Sequence, residues 1–529
     1  MSITKFRKSL SRFFKPLLIL IVAVFFIGCF TIFGTNMVDR GDRGEEEQGA
    51  IAKVNGREIP GEGFNNAIGA WERQMETALD RTVTPSEVAG QKAQLLEQLI
   101  VREVLKQAAE KRGVRVSRGE VRDEINKMAE QQVDQERSQI SARLGGKKKA
   151  GPKAVDRQLV ELLRLKTGDS NMTIESHKSQ IRDSMNPDDV RSSLMITKLG
   201  ESIKRTVRMS EREMVDSYRM VQARHIVIDS RARSEVRAKK RADEVLVKLR
   251  SGSDFGTLAR EVSDETYTKN NGGAWPYPLS PTQSYGVDPA ITRSLFALKP
   301  GGFSDVIKTK NGFEIVKVDS EQLNLPKDFE AKKKQYKTQR LNEKQSKVVQ
   351  DFYIKAMDSA KIEVIPADLQ AYWLQGQART KLMTEGAEGY KKAMTAAAKK
   401  FEKALLSNSN DAASVYSLAS IYQGLGEDDK AIKALELALE SASEASVEGP
   451  DLRVMLGDLY AAKGDNKRAA AQYEIAGEVG IADLGFLQQL VDKFNRVGKP
   501  DLAAKTQKFV TENSPPEMAP TQGGSPQPQ

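Results

Sequence analysis

The apolar residues of this 529-residue chain fall into three patterns, each predicting a different element. The first is a continuous run. Leu17 to Phe33 contains no charge, and Gly34 to Val38 extends it to roughly the 20 residues a bilayer-crossing helix requires. The second is recurrence at three- and four-residue steps. Leu95, Leu96, Leu99, Ile100, Val104, Leu105 and Ala108 follow it and predict the buried face of a helix ended by Gly113. Ser117 and Glu120 have capping-box spacing for the next helix, and residues 172–207 read as helical again. The third is alternation. Ile51 to Val54, before Asn55-Gly56, and Ala223 to Ile228 read as strands.

After residue 223 the predicted order is strand, a charged helix over 231–250, a second helix opened by Ser253 to Ala259, and a Gly/Pro loop over 270–281. A short helix at 294–298 is stopped by Lys299-Pro300-Gly301. Two strands follow, 303–309 and 313–318, joined by the Asn311-Gly312 turn. That order predicts an α+β unit with a small, mostly antiparallel sheet. A long polar helix then runs from Pro326 to about Ala360, ahead of strand-like residues 362–365. Beyond it the chain repeats itself. Leu418, Ala419, Tyr422, Gly426, Ala431, Leu435 and Ala438 recur as Leu456, Gly457, Tyr460, Gly464, Ala469, Tyr473 and Ala476. Weaker copies contain Ala397, Phe401 and Ala404, and Leu490, Phe494, Gly498 and Ala503. This is tetratricopeptide spacing, helical hairpins of about 34 residues, with a short insertion near 441–447. The Pro/Gly/Gln-rich tail from Ser514 predicts disorder.

Charge fixes the orientation of the apolar run. Lys5, Arg7, Lys8, Arg12 and Lys15 precede it, whereas Arg40 and Arg43 behind it are mixed with acidic residues. The positive-inside rule puts the N-terminus in the cytoplasm and everything after Gly41 outside. An uncleaved anchor is the reading taken. A cleaved signal peptide would need a shorter core, and a lipoprotein at Cys29 would need a better processing box than Phe26-Ile27-Gly28. The 82 basic and 72 acidic residues leave a net charge of +10, but no basic stripe interleaved with aromatics suggests nucleic acid. A single cysteine and two histidines exclude a disulfide framework and a His-rich metal centre within one chain. His177 lies among polar helical residues and is assigned no function, and Lys147 to Lys149 read as a solvated turn. No phosphate-binding loop or catalytic triad is present.

Residues 222–319 resemble the parvulin family of peptidyl-prolyl isomerases over their whole length. The matching pieces, in order, are residues 223–228, Asp254-Phe255 with Leu258-Ala259, Val262-Ser263-Asp264, Gly272-Gly273, residues 296–301 and residues 312–318. The resemblance implies an apolar proline slot at Trp275, Val287 and Ile291, lined further by Phe296, although Phe296 reads better as core. It implies a polar set of His225, Glu265 and Thr309. Glu314 stands where the family usually has a second histidine, and Ala274-Trp275-Pro276 interrupts the family's Gly-Gly-Asp-Leu-Gly run. A Glu at 314 would accept a hydrogen bond from His225 and fix its tautomer. Residues 52–56, 95–100 and 114–121 resemble the N-terminal chaperone domain of the SurA/PpiD/PrsA-like foldase group. The segment 327–364 looks like the part that returns to pack on that domain.

The expected architecture is multidomain. It comprises a basic cytoplasmic tail (1–15), a transmembrane helix (16–38), a linker (39–49) and a mostly α-helical SurA-N-like chaperone domain (50–209). An α+β parvulin domain (210–322), a return helix (323–365), an all-α tetratricopeptide solenoid (366–513) and the tail (514–529) follow. The expected function is that of a single-pass inner-membrane isomerase and chaperone, its bulk in the periplasm, needing no cofactor or metal. Its expected partners are unfolded exported proteins with Xaa-Pro bonds, membrane lipid around residues 16–38, the translocon, and an unidentified protein bound by the repeats. The alternative is an inactive parvulin-fold peptide clamp or scaffold.

Overall fold

A computed structural model describes residues 49–79, 81–143, 151–231, 233–281, 287–309, 312–441 and 449–514. The expected tail, transmembrane helix, Cys29 and most of the linker lie outside these residues. So do Lys147 to Lys149, the Asn311 turn and the tail after Ser514. Among the described residues no helix is long and apolar enough to cross a membrane.

The chain forms two compact units, residues 1–199 with 355–529, and residues 200–354. The first begins with β1 (Ala50–Val54) and β2 (Arg57–Pro60), followed by α1 (Gly61–Leu79), α2 (Pro85–Lys111), α3 (Arg118–Arg143), α4 (Pro152–Thr167), α5 (Ile174–Ser184) and α6 (Pro187–Thr206), whose last turn enters the second unit. The helical stretch expected over 172–207 is broken at Asn186-Pro187, because proline restricts the residue before it. The Ser117–Glu120 box forms. The Ser117 amide donates to Glu120 Oε2 at 2.9 Å, and the Glu120 amide donates to Ser117 Oγ at 3.2 Å. His177 lies 3.1 Å from Glu136 Oε2 on α3, a carboxylate that is remote in sequence.

The second unit continues with α7 (Glu211–Asp216), β3 (Arg219–Asp229), α8 (Glu235–Arg250), α9 (Phe255–Val262), α10 (Thr266–Lys269), α11 (Pro289–Ala297), β4 (Ile307–Thr309) and β5 (Gly312–Leu323). Its antiparallel sheet has the order β3-β5-β4. Only Ile307 to Thr309 of the strand expected over 303–309 is regular. Residues 301–304 instead pair with β5 piecemeal, through Gly301 N–Val318 O at 2.7 Å and Ser304 N–Val316 O at 2.8 Å. Alternation along the strands separates two cores. Ile226, Ile228, Phe313 and Ile315 pack with α8 and α9, while Val221, Ala223, Val316 and Val318 face Trp275 and α11.

The remaining elements are α12 (Lys333–Ser359), β6 (Ile362–Val364), and α13 (Ala367–Thr384) to α20 (Pro500–Asn513), with α14 (Gly386–Ser407), α15 (Ala412–Gly424), α16 (Asp428–Ser441), α17 (Pro450–Ala462), α18 (Asn466–Val479) and α19 (Leu484–Arg496) between. β6 pairs antiparallel with β1, Ala52 opposite Val364, completing a sheet of order β2-β1-β6. Helices α13 to α20 pack as four sequential hairpins. The repeated apolar residues, among them Leu418, Ala419, Leu435, Leu456, Tyr460 and Tyr473, are buried between them. Gly426, Gly464 and Gly498 take φ of +74°, +79° and +73°, where a side chain would be strained, so each closes the first helix of its hairpin.

Candidate functional site

The site is built on the face of β3 and β5 that looks toward α11. His225 stands opposite Val316, and Val227 opposite Glu314, so His225 and Glu314 are diagonal neighbours on one face, the spacing at which long side chains meet. His225 Nδ1 lies 3.1 Å from Glu314 Oε2, and its Nε2 lies 2.8 Å from Thr268 Oγ1. A carboxylate only accepts, so in neutral His225 the proton sits on Nδ1 and Nε2 accepts the Thr268 hydroxyl. The indole of Trp275 stacks on the imidazole, with ring centroids 4.0 Å apart and planes 29° apart. His225 is only 7% exposed.

Backbone geometry makes this possible. The loop after α10 folds back along the edge of β3. The His225 amide donates to Gly273 O at 2.9 Å, the Trp275 amide to Ala223 O at 3.1 Å, and Val221 and Leu279 exchange two bonds of 2.8 Å. At Gly273, with φ +79°, a Cβ would sit 2.2 Å from His225 O; only glycine allows that approach. The Val262-Ser263-Asp264 piece ties the far end of the same edge. Ser263 Oγ accepts the Val227 amide at 3.2 Å, and Asp264 Oδ2 accepts the Asp229 amide at 2.8 Å. Asp254 caps α9 through the Thr257 amide at 2.7 Å. The matched pieces thus supply edge pairing and capping around one histidine.

The eight residues expected at the site do not all meet. His225, Glu314 and Trp275 do. Ile291 is buried beneath them in the same apolar cluster, and half-buried Val287 and Phe296 pack against it. The Phe296 ring lies 5.9 Å from the Arg219 guanidinium. Glu265 is spent on local structure, its carboxylate accepting the Tyr267 amide at 2.9 Å as the cap of α10. The Thr309 hydroxyl reaches Gly312 O at 3.4 Å, so the hydroxyl partner of His225 is Thr268 instead. Thr268 was missed because only the fold-back of the glycine loop brings it beneath β3. Its one sequence signal is a threonine placed four residues before Gly272.

Rotation about an Xaa-Pro bond is opposed by amide resonance of about 18–20 kcal/mol, and the chemistry needs neither strong acid nor nucleophile. The barrier falls where the imide is desolvated and twisted, its polar atoms held by fixed groups. Half-buried Val287, Phe296 and Ile307 pack around buried Ile291 in one apolar cluster, and the half-buried Glu314 stands opposite Ile307 in the sheet. His225, sealed under Trp275, positions Glu314 and Thr268. Among the described residues no three His, Cys, Asp or Glu side chains gather as a metal site.

Two family models match the chain, a SurA-like N-terminal domain over residues 3–143 and a PPIC-type PPIASE domain over residues 225–320. Foldase protein PrsA of Caldanaerobacter subterraneus subsp. tengcongensis is 23% identical over 356 residues, covering 64% of this chain and 94% of the relative. Foldase protein PrsA 2 of Listeria innocua serovar 6a is 29% identical over 239 residues, 43% of this chain and 74% of the relative. The crystal structure of PrsA from Bacillus anthracis aligns with 20% identity and a TM-score of 0.23, over 50% of this chain and 97% of that one. The chain therefore combines a SurA-like N-terminal domain with a parvulin-type domain of the PPIC kind, and its enzyme class is peptidyl-prolyl cis-trans isomerase.

Proposed function

We propose that the chain is an extracytoplasmic foldase, anchored by residues 16–38, that isomerises Xaa-Pro bonds in exported proteins and holds them while they fold. The observation that carries this reading is His225 fixed between Glu314 and Thr268 beside an apolar face. The relatives' name, foldase protein PrsA, supports the choice of unfolded protein as substrate, with chains emerging from the translocon as the expected source. Glu314 is the catalytic group, positioned by His225, which Thr268 fixes in turn, with Trp275, Val287 and Ile291 shaping the proline slot. The four hairpins are tetratricopeptide-like, and their first helices form a docking face.

Two activities of the full chain separate under mutation. His225→Ala should cut acceleration of a proline-limited refolding reaction by about tenfold or more while leaving suppression of aggregation intact. Loss of both together would overturn separate roles. A reporter fused after Gln529 should be active outside the cytoplasm, and activity confined to the cytoplasm would refute the location.

A further inference from the structure

The acidic starts of three successive hairpins converge on one stretch of the N-terminal region. Lys92 of α2 puts Nζ 3.2 Å from both carboxylate oxygens of Asp411, the N-cap of α15. The Ser86 amide, one of the free donors at the N-terminus of α2, donates to Asp451 Oδ2 at 2.8 Å, and Asp451 lies in the first turn of α17. Arg81, just ahead of α2, has its Nε 3.3 Å from Oδ2 of Asp483, the N-cap of α19. The partners run in opposite order along the two segments, 92, 86 and 81 against 411, 451 and 483. The six helical steps from Ser86 to Lys92 span about 9 Å, enough to carry the contacts from one hairpin toward the next.

Apolar packing and close approach accompany the charges. α2 packs against α13, α15 and α17, and its Leu96 and Ile100 are fully buried in one cluster with Tyr372, Leu418 and Leu452. At Gly449, beside Asp451, an added Cβ would lie 2.3 Å from Pro85 Cδ, so the start of α17 fits against the start of α2 without room for a side chain. Burial pushes the Asp451 carboxyl above its usual range, as expected for a group enclosed at such a contact.

We propose that the docking face made by the first helices of the hairpins takes its ligand from this same chain, the segment Arg81 to Lys92 with the apolar face of α2 behind it. The array thereby completes the core of the N-terminal domain, and a protein partner at that face has to displace α2. This names the occupant of the docking face proposed above and does not depend on turnover.

The test is amide hydrogen exchange over residues 85–111 in the full chain. Lys92→Glu, facing Asp411, should speed exchange there by about tenfold, and adding Asp411→Lys should restore most of the protection. Unchanged exchange in the single variant, or a double variant as labile as the single one, overturns the proposal. A second measurement guards against misfolding of the single variant. With a protease site inserted between Ile365 and Pro366, the folded chain is cut and passed over a sizing column. Fragments that stay together, and separate when Asp411, Asp451 and Asp483 are all changed to Lys, support an intramolecular ligand. Fragments of the unsubstituted chain that separate on cutting overturn it. Turnover by the same samples reports on the isomerase reading independently.

Discussion

Thr268 and Thr309 offer a decisive pair of substitutions, because the family resemblance points to one and the geometry to the other. Thr268 is 3% exposed and its hydroxyl is 2.8 Å from His225 Nε2. Thr268→Val keeps the shape and removes the donor, leaving a buried imidazole nitrogen without a partner. Such an orphaned group costs about 1–3 kcal/mol, and valine recovers little of it because the branched shape was already packed. Thr309 is half-buried, and its 3.4 Å contact with Gly312 O is at the weak end of hydrogen bonding, so Thr309→Val should cost less than about 0.5 kcal/mol. The chain has two compact units, the class of protein for which a single unfolding free energy is poorly defined, so the local readout is hydrogen exchange of the β3 and β5 amides. Thr268→Val should accelerate it by about fivefold or more and Thr309→Val by less than about threefold. Turnover of an Ala-Xaa-Pro-Phe peptide should fall with Thr268→Val and hold with Thr309→Val. The reverse order in both assays would refute the assignment of Thr268 as the partner of His225.

Gly273→Ala should be more damaging than either, since its Cβ meets His225 O at 2.2 Å in a left-handed backbone. A loss of more than about 2 kcal/mol is expected, read as collapse of β3 protection, with circular dichroism of the helical hairpins retained. The first unit should show opposed pH effects. Burial raises Asp451 and Asp368 above the usual aspartate range, so their contribution to stability is fully present below the ordinary aspartate pKa and is lost as pH rises through the folded value. Glu87, paired with Arg81, is held down at about 2, so its contribution is present above the ordinary glutamate pKa and is lost as pH falls from there toward 2. Melting of this unit should therefore hold or rise on mild acidification from neutrality and drop below about pH 4, and Glu87→Gln should flatten the acid limb in a thermal-shift series.

The parvulin-like unit was legible because short motifs mark its caps and edges. Asp254 caps its own helix three residues on, while Ser263 and Asp264 bond the edge of β3 35 or 36 residues away and Gly273 meets His225; the motifs were read without their partners. His225 and Glu314 were also legible, through the family resemblance, and the register of β3 and β5 puts them on one face. Thr268 and the Trp275 stack were not, because both depend on where the loop lands after its fold-back. The hairpins were visible through Leu418, Tyr422 and Gly426 and their copies 38 residues on. Contacts of Lys92 with Asp411 and of Ser86 with Asp451 join residues more than 300 positions apart, and no periodicity encodes a partner at that range. Likewise His177 read as isolated until α3 and α5 packed together and brought it to Glu136.

The most direct test of the account is cis/trans exchange of a proline tetrapeptide, followed by NMR with the full chain and its His225→Ala and Glu314→Gln variants. The account predicts catalysed exchange by the unsubstituted chain, reduced by about tenfold or more in both variants while β3 and β5 stay protected. Equal exchange by all three would contradict it, because the His225–Glu314–Thr268 cluster would then have no part in turnover.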